Sequence, residues 1–350
     1  MSENDLTNAI IRLLRGIETS ADIENLRQYA TGNFSRFAEI CRPNLVLGRT
    51  LTRVREHSPE FEDPVDTALT KDRQRVQRGM ELIAQVTEMF EGCDIPFMVI
   101  KTLDHYPDQG HDIDLFVDED LTKIDRLMFE NFAATAAGRS LCDNLAGKKN
   151  YRIRDLTLEV HSGTLGQVGE HKRLASVIFE LRKPACVGGV NTFVPAPEGR
   201  LILSILQRIY RHFNFRIGDL INIANLLEDP TIDWDKISEI CRLGGIEFGA
   251  KQGVAMVSDL LGRLGDSVRS TAPTDWSSVQ PIDSLVYRRN YFRFALGRVV
   301  PQVYSREFAN SLWRSPVSQG GRLIGLGMLA PIVAVNIRFA PSVSLWRKLW

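Results

Sequence analysis

The stretch that most limits what this chain can fold into is residues 95–118, IPFMVIKTLDHYPDQGHDIDLFVD. The apolar run at 96–100 reads as a buried strand, and 111–117 reads as a second one. Within the second, Asp112 and Asp114 flank Ile113. Side chains alternate along a strand, so the two acids share a face, with Cα atoms roughly 7 Å apart, and Ile113 turns the other way. Two carboxylates side by side repel each other unless a cation lies between them. Such an oxygen pair suits hard divalent ions, Mg²⁺ above all. Lys101 and Thr102 stand at the end of the first strand, where an ammonium and a hydroxyl can meet phosphate oxygens. An interstrand ion pair is the competing reading of the lysine.

A third acid lies further on. Residues 151–161, YRIRDLTLEVH, alternate apolar and polar side chains and read as one strand with Glu159 near its end. There a third carboxylate can join the first two. Asp155, at even spacing on the same strand, competes for that role but lies earlier. His161 either orients Glu159 or touches substrate, or is a hydrogen-bonded structural histidine. Asp104, Asp108 and Asp118 are expected to cap loops. His105 and His111 lie near the acids, but their spacing matches no familiar zinc pattern. The acidic run at 108–120 lacks the glycine at the sixth position of an EF-hand loop. Arg208, Arg211, Arg216 and Asp219 read as helix-surface and inter-helix partners, with one arginine free to face a nucleotide.

Thr102 and the Asp112-Ile113-Asp114 pair, with nine residues between them, resemble the pattern of the nucleotidyltransferase superfamily that includes polymerase β. That pattern is a small-residue turn, a hydrophobic-flanked Asp-x-Asp, and a lone acid on a neighbouring strand. More closely, the chain is similar to the uncharacterised bacterial nucleotidyltransferases. Cys93-Asp94-Ile95-Pro96, Val99-Ile100-Lys101, Tyr106-Pro107, residues 112–117 and Glu159-Val160-His161 follow that family's blocks in order. Thr102 departs from it, standing where the family usually has glycine.

The resemblance implies an α+β fold, with a small mixed β-sheet nucleotidyltransferase core between N-terminal and C-terminal helical regions. The expected division is 1–93 (helical), 94–198 (catalytic core), 199–290 (helical) and 291–350 (basic and apolar tail). It further implies a Mg²⁺-dependent enzyme moving an NMP group from an NTP to a hydroxyl-bearing acceptor, with release of pyrophosphate. Two Mg²⁺ ions would be held by Asp112, Asp114 and Glu159, the nucleotide by Lys101, Thr102 and His161. The acceptor is left open between a small molecule, a protein and an RNA end. The rival expectation is a non-catalytic nucleotide-binding or regulatory protein on the same fold, and Thr102 is its support.

Composition bounds the rest. With 350 residues, 44% of them hydrophobic and 25% charged, the chain can bury a large core as more than one domain. Lysine and arginine balance the acids, so overall charge gives no pointer to nucleic acid. From residue 291 onward, however, eight basic residues stand against Glu307 alone. Residues 323–337 are strongly apolar but short of the roughly twenty needed to span a bilayer, and Trp346 and Trp350 flank Arg347 and Lys348. A membrane- or nucleic-acid-associated module using the tail, with weak membrane-surface contact, is therefore a further expectation, against packing on the helices. The five cysteines are scattered, with no C-x-x-C pair. The opening residues lack the apolar block of a signal peptide, so a cytoplasmic protein is expected, peripheral to the inner face of the membrane if the tail binds there.

Helical spacing predicts a helix over 71–90 with Val76, Met80, Ile83, Val86 and Phe90 on its apolar face. Further helices are expected at 121–137, 201–213, 217–227, 234–243 and 250–264, and an edge strand at 188–194. Ser20 and Asp233 are the expected N-caps of their helices. Residues 266–282 read as a linker or long loop.

Overall fold

The computed structural model describes residues 1–57, 64–110, 112–166 and 170–314. Expectations for the tail beyond Arg314 and for His111 fall outside these residues. The chain opens with helices α1 (Glu3–Arg15), α2 (Ser20–Gly32), α3 (Phe34–Cys41), α4 (Leu47–His57) and the long α5 (Pro64–Gly92). Local chemistry sets their starts. Ser2 and Asp5 form a capping box on α1, and Thr19, not Ser20, caps α2 in the same way with Asp22. At α4 the cap comes from far along the chain: Asp108 accepts hydrogen bonds from the Gly48 and Arg49 amides. Asp108 was expected to cap its own loop; it caps a distant helix instead and pairs with Arg49 at 3.0 Å.

The central sheet runs in the order β1 (Phe97–Ile100), β2 (Asp112–Val117), β5 (Leu156–Ser162), β4 (Lys148–Ile153), β3 (Thr135–Ala136). Only the β2–β5 pair is parallel. The expected single strand at 151–161 is thus a hairpin. It turns at Arg154 and Asp155, with Arg154 at φ 56°. Apolar positions are odd on one side (Tyr151, Ile153) and even on the other (Leu156, Leu158, Val160), and that slip of phase is the mark of the turn. Asp155 is consequently at the tip, paired with Arg78 on α5, and not beside Glu159. Helix α6 (Leu121–Phe132) is shorter than expected, ending at left-handed Ala133 so that β3 can join the sheet edge; α7 (Leu141–Leu145) leads into β4.

Each face of the sheet has its own cover. Met80, Ile83, Val86 and Phe90 of α5, with Ile124 and Met128 of α6, pack on Val99, Ile113, Leu115, Tyr151, Leu158 and Val160. Met98, Ile100 and Phe116 point the opposite way, into a second, larger core. That core is built from α1–α4, α8 (Lys172–Glu180), α9 (Pro197–Ile205), α10 (Ile217–Leu227), α11 (Trp234–Gly244) and α12 (Glu247–Arg263). The first helices and the later ones therefore share one interior. Arg15 of α1 ties them further, donating to Asn225, Glu228 and Asp266.

The remaining elements frame this core. A hairpin, β6 (Arg182–Val187) and β7 (Val190–Pro195), turns at Gly188 and Gly189 and lays Phe193 edge-on against Phe97 of β1. Strands β8 (Asn214–Phe215), β9 (Val286–Arg288) and β10 (Tyr291–Arg293) form a small sheet in the order β8-β10-β9. The expected loop at 266–282 contains a short helix, α13 (Thr274–Ser277), because Trp276 is buried against Trp234. Asp233 caps α11 as expected. Last comes α14 (Leu296–Arg314), whose buried Glu307 faces His171 at 3.3 Å.

One deviation bears directly on the site. The expected helix at 201–213 is α-helical only through Ile205; Leu206–His212 is a π-helical turn ending at left-handed Phe213. The loop between β1 and β2 is then bolted to α10. Buried His105 meets Asp219 at 3.4 Å and Asn222 at 3.0 Å, and Arg208 meets Asp219 at 3.2 Å. Gly218 is required at this junction: a Cβ there would come within 3.0 Å of His105 Nδ1 and 2.9 Å of the Asn44 carbonyl. Burial by itself would raise the Asp219 carboxyl, but Arg208 and the His105 hydrogen bond hold it well below the usual carboxylate range.

Removing one partner of a buried charge pair leaves the other uncompensated, a loss of roughly 3–5 kcal/mol. Asp219→Asn is expected to lower unfolding free energy by about that amount in a urea titration. A loss of under about 1 kcal/mol would show that Arg208 does not depend on it.

Candidate active site

Parallel pairing of β2 with β5 sets Asp114 directly beside Glu159, and Asp112 beside Thr157. Antiparallel pairing with β4 adds Asn150 beside Glu159 and Lys148 beside His161. Because side chains alternate, one polar patch results on the face turned toward the larger core. It contains Asp112 and Asp114 from β2, Thr157, Glu159 and His161 from β5, and Lys148, Asn150 and Arg152 from β4.

At its centre Asp114, Glu159 and His161 each offer one ligand atom, all within 4.8 Å of one another. Glu159 and His161 are buried, and Asp114 nearly so. Two carboxylate oxygens and an imidazole nitrogen at this spacing fit a divalent cation. Asp112, on the same face at the exposed start of β2, lies outside that trio. The trio expected from the sequence had Asp112 in it and His161 as a nucleotide contact.

The protein's own cations already surround the acids. Lys101 Nζ donates to Asp114 Oδ1 at 2.5 Å, and Lys148 Nζ lies 2.6 Å from Glu159 Oε2. His161 Nε2 is 2.8 Å from Glu159 Oε1 and 3.7 Å from Asp114 Oδ1. Arg211, from the π turn, reaches within 4.0 Å of Glu159 Oε1. Burial pushes the Glu159 carboxyl upward, but the His161 hydrogen bond and the charges of His161, Lys101 and Arg211 carry it well below its ordinary value. Asp114 follows the same logic: burial raises it and Glu159 opposes its ionisation, while Lys101 and His161 outweigh both and lower it.

Local backbone geometry delivers two of these groups. Lys101 turns the chain at φ 62° and ψ −46°, a region that residues with a Cβ seldom occupy. Such a conformation costs of order 1–3 kcal/mol and survives where the surroundings fix it. Here the 3₁₀ turn Thr102–His105 follows at once, held through His105 by α10. Thr102 is buried, and its Oγ1 accepts the Asp114 amide hydrogen at 2.8 Å. The hydroxyl expected to meet phosphate is thus already used to align the acid strand.

Lys148 is the neighbour that sequence reasoning missed, and Arg211 was named there only among several arginines. The lysine lay before the expected start of its strand, and only the phase slip at the hairpin turn would have placed it on the Glu159 face. Arg211 stood beside Arg208 and Arg216 as one of three arginines from which a nucleotide contact could come, and nothing in the spacing singled it out. The other histidine considered near the acids, His105, has its ring committed to Asp219 and Asn222. A groove of about 1110 Å³ lies away from all of these groups, between α5, α6 and the β4–β5 turn, with Leu82, Met89, Leu127 and Asp155 in its walls.

Residues 31–262 match the model of an uncharacterised nucleotidyltransferase family. The chain belongs to that family. It is accordingly an enzyme of the nucleotidyltransferase class, on a mixed α+β fold. Among solved structures it is similar to an antigenic nucleotidyltransferase-like protein from Paracoccidioides brasiliensis, at 14% identity over 57% of this chain and 96% of that one, with a TM-score of 0.38. The antibiotic-resistance factor ANT(2'')-Ia is similar at 14% identity over 54% of this chain and 94% of that one, TM-score 0.30. A tRNA-processing enzyme in an apo form is similar at 9% identity over 75% and 81%, TM-score 0.25. No curated protein matches the chain. Among the described residues, no helix is long and apolar enough to cross a membrane.

Glu159→Gln leaves Lys148 and Arg211 facing a neutral amide in a buried place, and is expected to cost roughly 3 kcal/mol at pH 7. A depressed carboxyl stabilises the fold above its unfolded-state value, and that contribution is lost as pH falls. The gap between wild type and variant in urea titrations should therefore narrow from about pH 4.5 downward. A gap that widens with acid would contradict the assigned direction.

Proposed function

We propose that the chain transfers an NMP group from a nucleoside triphosphate to a hydroxyl-bearing acceptor, releasing pyrophosphate. The observation that carries this reading is the side-by-side placement of Asp114 and Glu159 on parallel strands, with His161 beside them and cations on every side. Asp114, Glu159 and His161 would hold the divalent metal, Mg²⁺ being the ion suited to the carboxylates, and Asp112 extends the acidic face for a second. When bound, such an ion neutralises phosphate charge and makes the α-phosphorus more open to attack.

The chain's own groups supply the rest. Lys101, Lys148 and Arg211 converge from three segments and suit a polyphosphate, whose charge they can share once it enters. Thr102 keeps Asp114 aligned through its amide, so the aim of the carboxylate does not depend on solvent. Glu159 would accept the proton of the incoming hydroxyl, and His161 Nε2, 2.8 Å away, holds its carboxylate in place until that nitrogen turns to the metal. In-line displacement asks mainly for positioning and charge stabilisation, and this rigid, cation-rimmed floor provides both. Nothing on it selects among a small molecule, a protein side chain and an RNA end as acceptor.

Incubation with α-labelled triphosphates and a cell extract, following label into the acceptor, tests the reading. Asp114→Asn is expected to reduce transfer roughly a thousandfold, matching the several kcal/mol that charge stabilisation by a metal is worth. Undiminished transfer in this variant would refute the assignment. Thr102→Val, which keeps shape and drops the hydroxyl, should lower transfer about tenfold, and Thr102→Ser should retain it. Equal rates in both would detach Thr102 from the site.

A further inference from the structure

The carboxylate oxygens near the centre of the site that have a close partner meet a lysine or the imidazole of His161. Lys101 takes Asp114 Oδ1 at 2.5 Å, Lys148 takes Glu159 Oε2 at 2.6 Å, and His161 sits at 2.8 Å from Glu159 Oε1. Asp114, Glu159 and His161 are the same three side chains that offer ligand atoms for a divalent ion. Lys148 is especially well fixed. It leaves β4 opposite His161, its side chain is only 13% exposed, and the sheet itself aims it at Glu159.

Charge counting sharpens the point. Lys101, Lys148 and Arg211 face Asp114 and Glu159, and adding Asp112 at the edge brings the balance of these six groups to zero. A bare dication entering this pocket finds no net negative charge to draw it, and must compete with the ammoniums for the same carboxylates. A metal–triphosphate complex, with a net charge of about −2, meets the opposite situation, because its phosphate oxygens offer each displaced lysine a new partner.

We propose that Lys148, assisted by Lys101, is an internal counter-cation that competes with free divalent metal for Glu159 and releases it to a metal carried on a polyphosphate. This rests on the nucleotidyl-transfer reading for the nature of the incoming anion. The competition itself rests on geometry alone. It makes metal and nucleotide binding interdependent, so metal without nucleotide binds weakly. Lys148 is in this sense a positioning residue whose two effects have opposite signs.

That opposition is the test. Free Mn²⁺ is titrated into the full-length protein without nucleotide, following loss of the free-ion electron paramagnetic resonance signal, for wild type, Lys148→Met and Lys148→Arg. Binding of the α,β-methylene analogue of each common triphosphate is then measured by calorimetry in the presence of Mn²⁺. Lys148→Met is expected to bind free Mn²⁺ about tenfold more tightly and the best analogue about tenfold more weakly, while Lys148→Arg stays near wild type in both. Lys148→Gln, uncharged but able to hydrogen-bond Glu159, answers the same question if the methionine variant does not fold. Free Mn²⁺ affinity that is unchanged or lower in the folded, uncharged variant overturns the proposal. Wild type that binds none of the analogues overturns the transfer reading instead, and the metal titration still decides the role of the lysine.

Discussion

Two carboxylates held next to each other, largely shielded from bulk water, are costly unless something neutralises them. Asp114 and Glu159 are in that position because β2 and β5 run parallel and in register. The neutralising groups cannot come from one place. Lys101 arrives from the end of β1, Lys148 from β4, His161 from β5 itself, and Arg211 from a helix that lies outside the sheet. Much of the architecture can be understood as the means of bringing these four groups to two oxygen pairs. The strained turn at Lys101 is tolerated because α10 grips the following loop through His105, Asp219 and Asn222.

The two-sided cover of the sheet follows from the same demand. Against α5 and α6 the strands offer mainly apolar side chains, and a core forms there, with Lys149 and the Tyr151 hydroxyl meeting Asp125 of α6 at its edge. Their other face is divided. Met98 and Ile100 of β1 and Phe116 of β2 enter the larger helical core, while Asp112 and Asp114 of β2 and the polar side chains of β5 and β4 occupy the rest of the face. The helices that seal the apolar part thereby reach the rim of the polar part. This is why α9 and the π turn after it can send Arg211 onto Glu159. Because the N-terminal helices share that interior, they support the rim from behind.

How much of this could be read from the residues alone depended on distance along the chain. Asp112, Asp114 and the strand that carries them were legible because alternation within a few residues is a local property, and so was the buried face of α5. Glu159 was legible through its place after an alternating run. Its partners were not. Lys148 was hidden by continuing one strand through Arg154 and Asp155, where no glycine or asparagine announced a turn. His161 is the exception, weighed as orienting Glu159 as well as touching substrate or being structural, and it does lie 2.8 Å from that acid; only its approach to Asp114 had no local sign. Thr102 stood out only as a departure from glycine, and its bond to the Asp114 amide depends on the path of the loop between β1 and β2. The 1–93 region looked self-contained for a similar reason: apolar periodicity shows that a helix has a buried face, not which helix buries it.

The π turn at Leu206–His212 has a consequence of phase. In an α-helix each residue advances the direction of the side chains by about 100°. A turn closed by i→i+5 bonds absorbs extra chain without lengthening the helix to match, and such insertions occur often at functional positions. Arg208 and Arg211 fall within it, one turned to buried Asp219 and the other to Glu159. Shortening this segment by a single residue would leave α9 intact and the composition almost unchanged. It would rotate every later side chain of the segment by about 100°, sending the guanidinium away from the acids. Reach at this edge of the site is thus set by a count of residues as much as by their kind, and a protein with the same arginine in an uninterrupted helix would present it elsewhere.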